Sequence, residues 1–368
     1  MSLQHCGLAV AHSIVRMISQ LFWVGSYPTM PSLSAEVLLD DGSKEDGALS
    51  ARGKAKDELQ ARRANKAVDQ ILAIQGQSAQ EADELGFIAR LLIQATMPHR
   101  KPVGHEWSRT NGRLSMHMMA PSAVGLPYGS YARLLLVWIT TQAVRNKFRM
   151  DHGYINEQDA RRLEFGESLS GFMSELGLRA TGGENGTITA LREQMTRLFS
   201  TAVTATFTEY QEHTGQVVNR IGGSMVAEKA ELWWDTRHPN QTTLWRSHVE
   251  LSPKFFTLIT ERPVPLDTRV LRFIKKSPMA LDVYCWATYR VSYLTRDTVI
   301  PWRSLMTQIG ASYADTPQGR RDFKRRFLDA LDKVGMVWPE LDITPTAKGL
   351  LLRRCAPHVR RKGVPLQE

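Results

Sequence analysis

The stretch 317–334, PQGRRDFKRRFLDALDKV, could bind an anion, because five of the seven residues from 320 to 326 are basic. Thr316 and Pro317 are favourable N-cap and N1 residues, which predicts that a helix begins here. Cations in a first turn meet the positive end of the helix dipole, at a cost of about 0.3–1 kcal/mol each. A phosphate or a guanine edge in front of the helix would explain them, since arginine binds both. The basic residues of this stretch are Arg320, Arg321, Lys324, Arg325 and Arg326.

A period of 3.6 residues divides this helix into two faces. The apolar stripe predicted to face a core consists of Phe323, Phe327, Ala330, Leu331 and Val334. The second face carries Arg321, Lys324, Arg325 and Leu328, with Arg320 at its border and Arg326 on the far flank. The alternative is that these charges are merely solvated.

The residues after this helix argue against that alternative. Residues 317–362 hold 12 Lys/Arg and 5 Asp/Glu, which is +7 of the chain's net charge of +10. A β-hairpin is predicted next, with Lys348 in its turn and Arg353 and Arg354 on its return strand. The tail residues Arg360, Arg361 and Lys362 would be a further phosphate clamp. The sequence therefore predicts a DNA-binding surface built from a helix, a hairpin and a tail.

A second helix, predicted from Thr187, is less basic. Glu193 counters Arg192 and Arg197, so this helix would be a weaker DNA reader, or would serve partly in subunit pairing. The candidate DNA-binding residues here are Arg179, Asn185, Thr187 and Arg192.

Elements of the same types recur in the same order in two blocks: helix, strand, helix, turn, helix and β-strands. The first block holds a helix around Trp138 and the second a helix around Trp286, which begins at Ser277-Pro278. The first block ends in a predicted β-meander. The stretch ELGFIARLLIQATMP, which precedes the helix around Trp138, is predicted to be a helix that ends at Pro98. This order predicts an α+β fold with two tandem winged-helix domains; two unrelated α+β domains are the alternative. The predicted domains are 1–83 (a polar arm, poorly ordered or helical), 84–255 (first winged helix, with dimerisation and DNA contacts) and 256–368 (second winged helix, the main DNA reader).

Composition supports a polyanionic partner and a reducing compartment. The chain has 368 residues, 42% of them hydrophobic and 23% charged, with a net charge of +10. Three cysteines without metal-ligand spacing predict no metal, no cofactor and a cytoplasmic location. No apolar run reaches the roughly 20 residues that span a bilayer, and the N-terminus makes a poor signal peptide. Met30 is an alternative candidate for the start of translation.

No motif for covalent chemistry or nucleotide hydrolysis is present. His117 in SMHMMA lacks the second histidine of a metal-binding His-hydrophobic-His pair, and GGENGT is not a P-loop. His152 is expected to be a loop residue. We therefore expect no enzymatic activity.

Several segments resemble plasmid-encoded RepA replication initiators. In the second block they are VPLDTRVLRFIKKSPMALDVYCWATYRVSYL, IPWRSLMTQIG, RRDFKRRFLDALDKV, VWPELDIT and GLLLRR; the most specific parts are SPMALDVYCWATYR and IPW. FIARLLIQATMPHRKP and YGSYARLLLVWITTQAVRN resemble the first half of the same proteins, so the resemblance covers roughly residues 84–358. The long polar leader departs from the family's compact pattern.

The resemblance implies two winged helices that bind repeated sequences (iterons) in the double-stranded DNA of a plasmid origin. It also implies homodimers that repress their own gene, and monomers that open the origin and recruit the host replication initiator and replicative helicase. The family's recognition helix would fall on Arg320, Arg321, Lys324 and Arg325. The alternatives are a transcriptional repressor on the same scaffold, or a nickase.

Overall fold

The computed structural model describes residues 45–166, 168–211, 216–233, 247–310 and 313–359, with side chains from residue 55 onward. The chain divides into two compact units, residues 1–73 and 74–368. Helix α1 (Glu45–Gly76) runs through the described part of the first unit. The leader before it and the tail 360–362 lie outside the described residues.

The second unit begins with a strand where a helix was predicted. β1 (Leu85–Ala89) pairs antiparallel with β9 (Pro263–Asp267), and only the short helix α2 (Arg90–Gln94) follows it. The predicted helix from Glu84 to Pro98 is therefore wrong. Its apolar residues suit either element, and the strand forms because a partner strand far along the chain satisfies its backbone.

The first block surrounds the buried helix α3 and contains two sheets. One sheet has the strand order β2-β3-β5-β6 and the other β4-β8-β7, all antiparallel. The helices are α3 (Gly129–Asp151), α4 (Glu157–Arg161), α5 (Leu169–Glu175), α6 (Thr187–Phe199) and α7 (Pro253–Thr260). The strands are β2 (Glu106–Asn111), β3 (Leu114–Met119), β4 (Arg162–Glu164), β5 (Ala202–Gln211), β6 (Gln216–Met225), β7 (Ala227–Glu231) and β8 (His248–Leu251).

These sheets correct the predicted β-meander. β5 and β6 join the β2–β3 hairpin, whereas β8 pairs with both β4 and β7 in a separate sheet. The β2–β3 hairpin was not predicted, although the dipeptide Asn111-Gly112 is a hairpin signal. The two-residue turn is Gly112-Arg113, and Gly112 has a φ of +59°. The predicted boundary between residues 255 and 256 falls inside α7.

The second block follows the predicted order of elements. Its single three-stranded sheet has the order β10-β12-β11. After β9 its elements are α8 (Thr268–Ile274), α9 (Pro278–Val291), β10 (Thr298–Pro301), α10 (Trp302–Ile309), α11 (Pro317–Val337), β11 (Ile343–Pro345) and β12 (Gly349–Leu352). α9 begins at the predicted cap, because the Ser277 side chain accepts a hydrogen bond from the backbone N–H of Ala280.

Two details of the hairpin differ from prediction. Helix α11 continues to Val337, three residues beyond the predicted stretch 317–334, so the hairpin begins later. The return strand ends at Leu352, so Arg353 and Arg354 lie just beyond it. The backbone N–H of Arg353 instead bonds to the carbonyl oxygen of Asp342.

Candidate nucleic-acid interface

Helix α11 starts where its sequence predicts. The Thr316 hydroxyl accepts a hydrogen bond from the backbone N–H of Gly319 at 3.1 Å, and Pro317 occupies the first turn. A side chain at Gly319 would collide with the carbonyl oxygen of Ala314, so this tight entry requires glycine. The predicted stripe is confirmed, since all five of its members are buried: Phe323, Phe327, Ala330, Leu331 and Val334. Burial of this stripe leaves the basic face exposed.

Three arginines of that face are held by neighbouring acceptors on the surface. Arg320 Nε lies 2.8 Å from Asp315 Oδ1, and an Arg325 Nη2 donates to Asp322 Oδ1 at 2.9 Å. Arg321 donates to Gln318 Oε1 at 3.2 Å. Exposed ion pairs contribute only about 0–1 kcal/mol, so a phosphate can displace these acceptors at little cost. They also offset part of the dipole penalty that sequence reasoning assigned to the first-turn arginines.

Arg303 in the first turn of α10 adds a cation that sequence reasoning missed. Its Nη2 atom lies 3.5 Å from Asp315 Oδ2, and its side chain is 80% exposed. Asp315 therefore links cations from two helices, Arg303 of α10 and Arg320 of α11. The signal that could have revealed Arg303 is its place in the first turn of the helix before α11, since α10 begins at Trp302.

Trp302 positions the hairpin turn beside the basic face. Its indole N–H donates to the carbonyl oxygen of Thr346 in the turn at 3.0 Å, and its ring meets Phe327 edge-on. Lys324 Nζ lies 4.8 Å from the centre of the same ring, a cation–π contact. One side chain thus contacts the core, the basic face and the hairpin turn.

The hairpin presents Lys348 at its tip. Within the turn, Thr346 Oγ1 accepts from the N–H of Gly349 and donates to its carbonyl oxygen, at 3.1 and 2.8 Å. Lys348 is exposed, and it makes no hydrogen bond or ion pair with the described residues. The side chains of Arg326 and Arg354 are also exposed and make no hydrogen bond or ion pair with the described residues. Arg353, in contrast, donates to Asp342 Oδ1 at 3.0 Å.

The candidate residues of the first block lie at the start of α6. Arg179, Asn185 and Arg192 are exposed. The Thr187 hydroxyl is already engaged: it donates to the carbonyl oxygen of Arg179 at 2.5 Å and accepts from the N–H of Thr181 at 3.0 Å. The Thr187 hydroxyl therefore fixes the turn before α6.

Arg197 is not part of the exposed surface of α6. It is buried, forms an ion pair with Glu193 at 2.8 Å and lies over the Tyr128 ring. The predicted compensation of Arg197 by Glu193 is confirmed. The exposed face of α6 has fewer cations than that of α11.

The described part of the chain holds no group of three or more His, Cys, Asp and Glu side chains that could bind a metal ion. None of its helices combines the length and the apolar character needed to cross a membrane.

The chain is similar to two solved structures and to a protein family. Two solved structures of domains 2 and 3 of RctB are similar, with 10% identity and TM-scores of 0.44 and 0.40. They cover 73% and 72% of this chain and 96% of their own chains. Comparison with curated proteins gives no match. Residues 126–303 match the family described as plasmid-encoded RepA protein, which confirms the resemblance that the sequence indicated.

Proposed function

We propose that this protein initiates plasmid replication by binding iterons in the duplex DNA of the plasmid origin through two winged helices. It then opens the origin and recruits the host replication initiator and the replicative helicase. It acts in the cytoplasm without covalent chemistry or a cofactor, as monomers at the origin and as dimers that repress its own gene.

The strand orders support the winged-helix assignment. In the second block the strand before α10 pairs with the last strand of the hairpin, in the order β10-β12-β11. The first block repeats this order as β4-β8-β7, with α5 and α6 in the places of α10 and α11. The β5–β6 hairpin is an insertion between α6 and β7. In helix-turn-helix proteins the second helix enters the major groove, a role that falls to α6 and α11 here.

The observation that carries the proposal is the basic face of α11 with the hairpin turn fixed beside it by Trp302. Arg321 and Arg325 are exposed near the helix start, which is the part that reaches base edges. Lys348 at the exposed turn would contact the adjacent phosphates. The less basic α6 would bind phosphates of the neighbouring half-site.

Footprinting of the full chain on its own plasmid origin tests this function. Protection of tandem repeats beside an AT-rich stretch is the expected result. Protection of a lone palindrome over a promoter would show the alternative, a transcriptional repressor. A covalent protein–DNA adduct would show a nickase and overturn the proposal.

A further inference from the structure

A loop of the first block carries cations that the proposed reader helices do not explain. Arg100 and Lys101 are exposed and make no hydrogen bond or ion pair with the described residues. Residues 99–113 contain four Lys/Arg and one acidic residue, Glu106. A segment with four cations and one acid favours a polyanion as its partner.

The start of this loop is fixed by a buried ion pair that links the two blocks. Arg133 in α3 bonds to Asp282 in α9 through Nε and Nη2, at 2.6 and 2.8 Å. The same guanidinium donates to the carbonyl oxygens of Met97 and Pro98, at 2.7 and 3.0 Å. His99 Nε2 lies 2.7 Å from Asp282 Oδ2. The backbone immediately before Arg100 is therefore held on both blocks.

Both flanks of the loop contact the last turn of α10. The Thr96 hydroxyl donates to the carbonyl oxygen of Gln308 at 3.1 Å, and Arg109 Nη2 lies 3.5 Å from that of Met306. α10 leads directly into the connection to α11. These contacts place the loop beside the end of α10, from which the chain continues to α11.

Tyr313, in the connection between α10 and α11, lies within electrostatic range of Arg100 in the loop. Its ring packs edge-on against Phe323 of α11. Burial raises the pKa of the Tyr313 hydroxyl, and the charges of Arg326 and Arg100 oppose this rise. Arg100 of the first block and Arg326 of the second thus act on the same hydroxyl.

We propose that Arg100 and Lys101 contact phosphates of the same half-site that α11 reads, so that the first block contributes to DNA binding by the second. This inference rests on the proposed function. A flexible loop would lose much of its binding energy in becoming ordered, whereas this loop is anchored on both sides before DNA arrives.

The first experiment is the salt dependence of binding, measured with the full chain on origin DNA and on a scrambled duplex. Arg100→Ala/Lys101→Ala should lower the slope of log K against log salt by about two units, on both duplexes alike. The matched control is Arg149→Ala/Lys254→Ala, which removes two exposed cations of the first block outside this loop; its slope should stay that of the wild type. A wild-type slope for the loop variant would overturn the inference.

Phosphate ethylation interference locates the contacts. In the Arg100→Ala/Lys101→Ala variant, the interference seen with the wild-type chain should disappear at phosphates flanking the bases that α11 contacts, and persist elsewhere. Disappearance only in the half-site of α6 would overturn the inference while leaving the proposed function intact. Failure of the wild-type chain to prefer origin DNA would instead overturn the proposed function.

Discussion

Removing either partner of the buried ion pair between Arg133 and Asp282 should strongly lower the free energy of unfolding. Removing both should cost much less than the two single losses combined. The two side chains are 6% and 9% exposed and share two hydrogen bonds. Removal of either partner leaves the other charge buried without compensation, which typically costs about 3–5 kcal/mol of folding free energy. We therefore expect that loss for Arg133→Met and for Asp282→Leu separately.

The double variant should lose much less than the two single losses combined. With both charges gone, the carbonyl oxygen of Pro98 keeps the bond from the Gly129 N–H at 3.1 Å, and that of Gly129 keeps its place in the helix ladder. Only the carbonyl oxygen of Met97 and the ring of His99 lose a partner, at about 1–3 kcal/mol for each unsatisfied buried group. The coupling energy of the pair should therefore be about 3 kcal/mol or more.

Urea unfolding of the full chain at pH 7, followed by tryptophan fluorescence, measures the four free energies of this cycle. Additivity within about 0.5 kcal/mol would refute the view that the two residues act as one unit. Wild-type stability of either single variant would refute it as well.

Two further perturbations test how the interface is held. Burial lowers the pKa of His99 below 6.5, so the unfolded chain binds the proton more tightly than the folded chain does. The free energy of unfolding should therefore fall as pH drops below about 6.5. His99→Gln should flatten this fall in urea titrations, and an unchanged pH profile would contradict the assignment. Trp302→Phe removes the bond to the carbonyl oxygen of Thr346, so it should cost about 0.5–1.5 kcal/mol and accelerate amide exchange in the hairpin turn. Trp286→Phe is the matched control, because it removes the indole bond to Gln308 at 3.1 Å in the core and should leave exchange in the turn unchanged; equal exchange in both variants would show that Trp302 does not fix the turn.

The sequence predicted α11 well because its determinants are local. The cap at Thr316, the proline at N1 and the apolar stripe all lie within one helix, and each acts at spacings of three or four residues. The same holds for α9, whose Ser277 cap and Pro278 were also recognised. Because the apolar stripe that includes Phe323 and Phe327 is buried, the basic residues on the other side of α11 are left exposed.

Elements whose determinants are distant were missed. The residues of β1 fit a helix as well as a strand, and pairing with β9 decides between them. β5 and β6 read as part of a meander, but their partner is the β2–β3 hairpin.

Individual contacts of the site escaped prediction for the same reason. Arg303 is an ordinary helix residue until Asp315 is placed beside it. Trp302 resembles a core residue, and its contacts with Lys324 and Thr346 exist only in the folded block.

The most direct test of the central claim is the specificity ratio of Arg321→Ala and Arg325→Ala, which is the affinity for origin DNA divided by that for a scrambled duplex. If α11 reads guanine, each variant should lose about 1–3 kcal/mol of discrimination, roughly a 5- to 150-fold fall in this ratio, confined to one base pair. Lys333→Ala, which removes a cation from the far flank of the same helix, should keep the wild-type ratio. Equal weakening on both duplexes would contradict the account, because it would reduce these arginines to phosphate contacts.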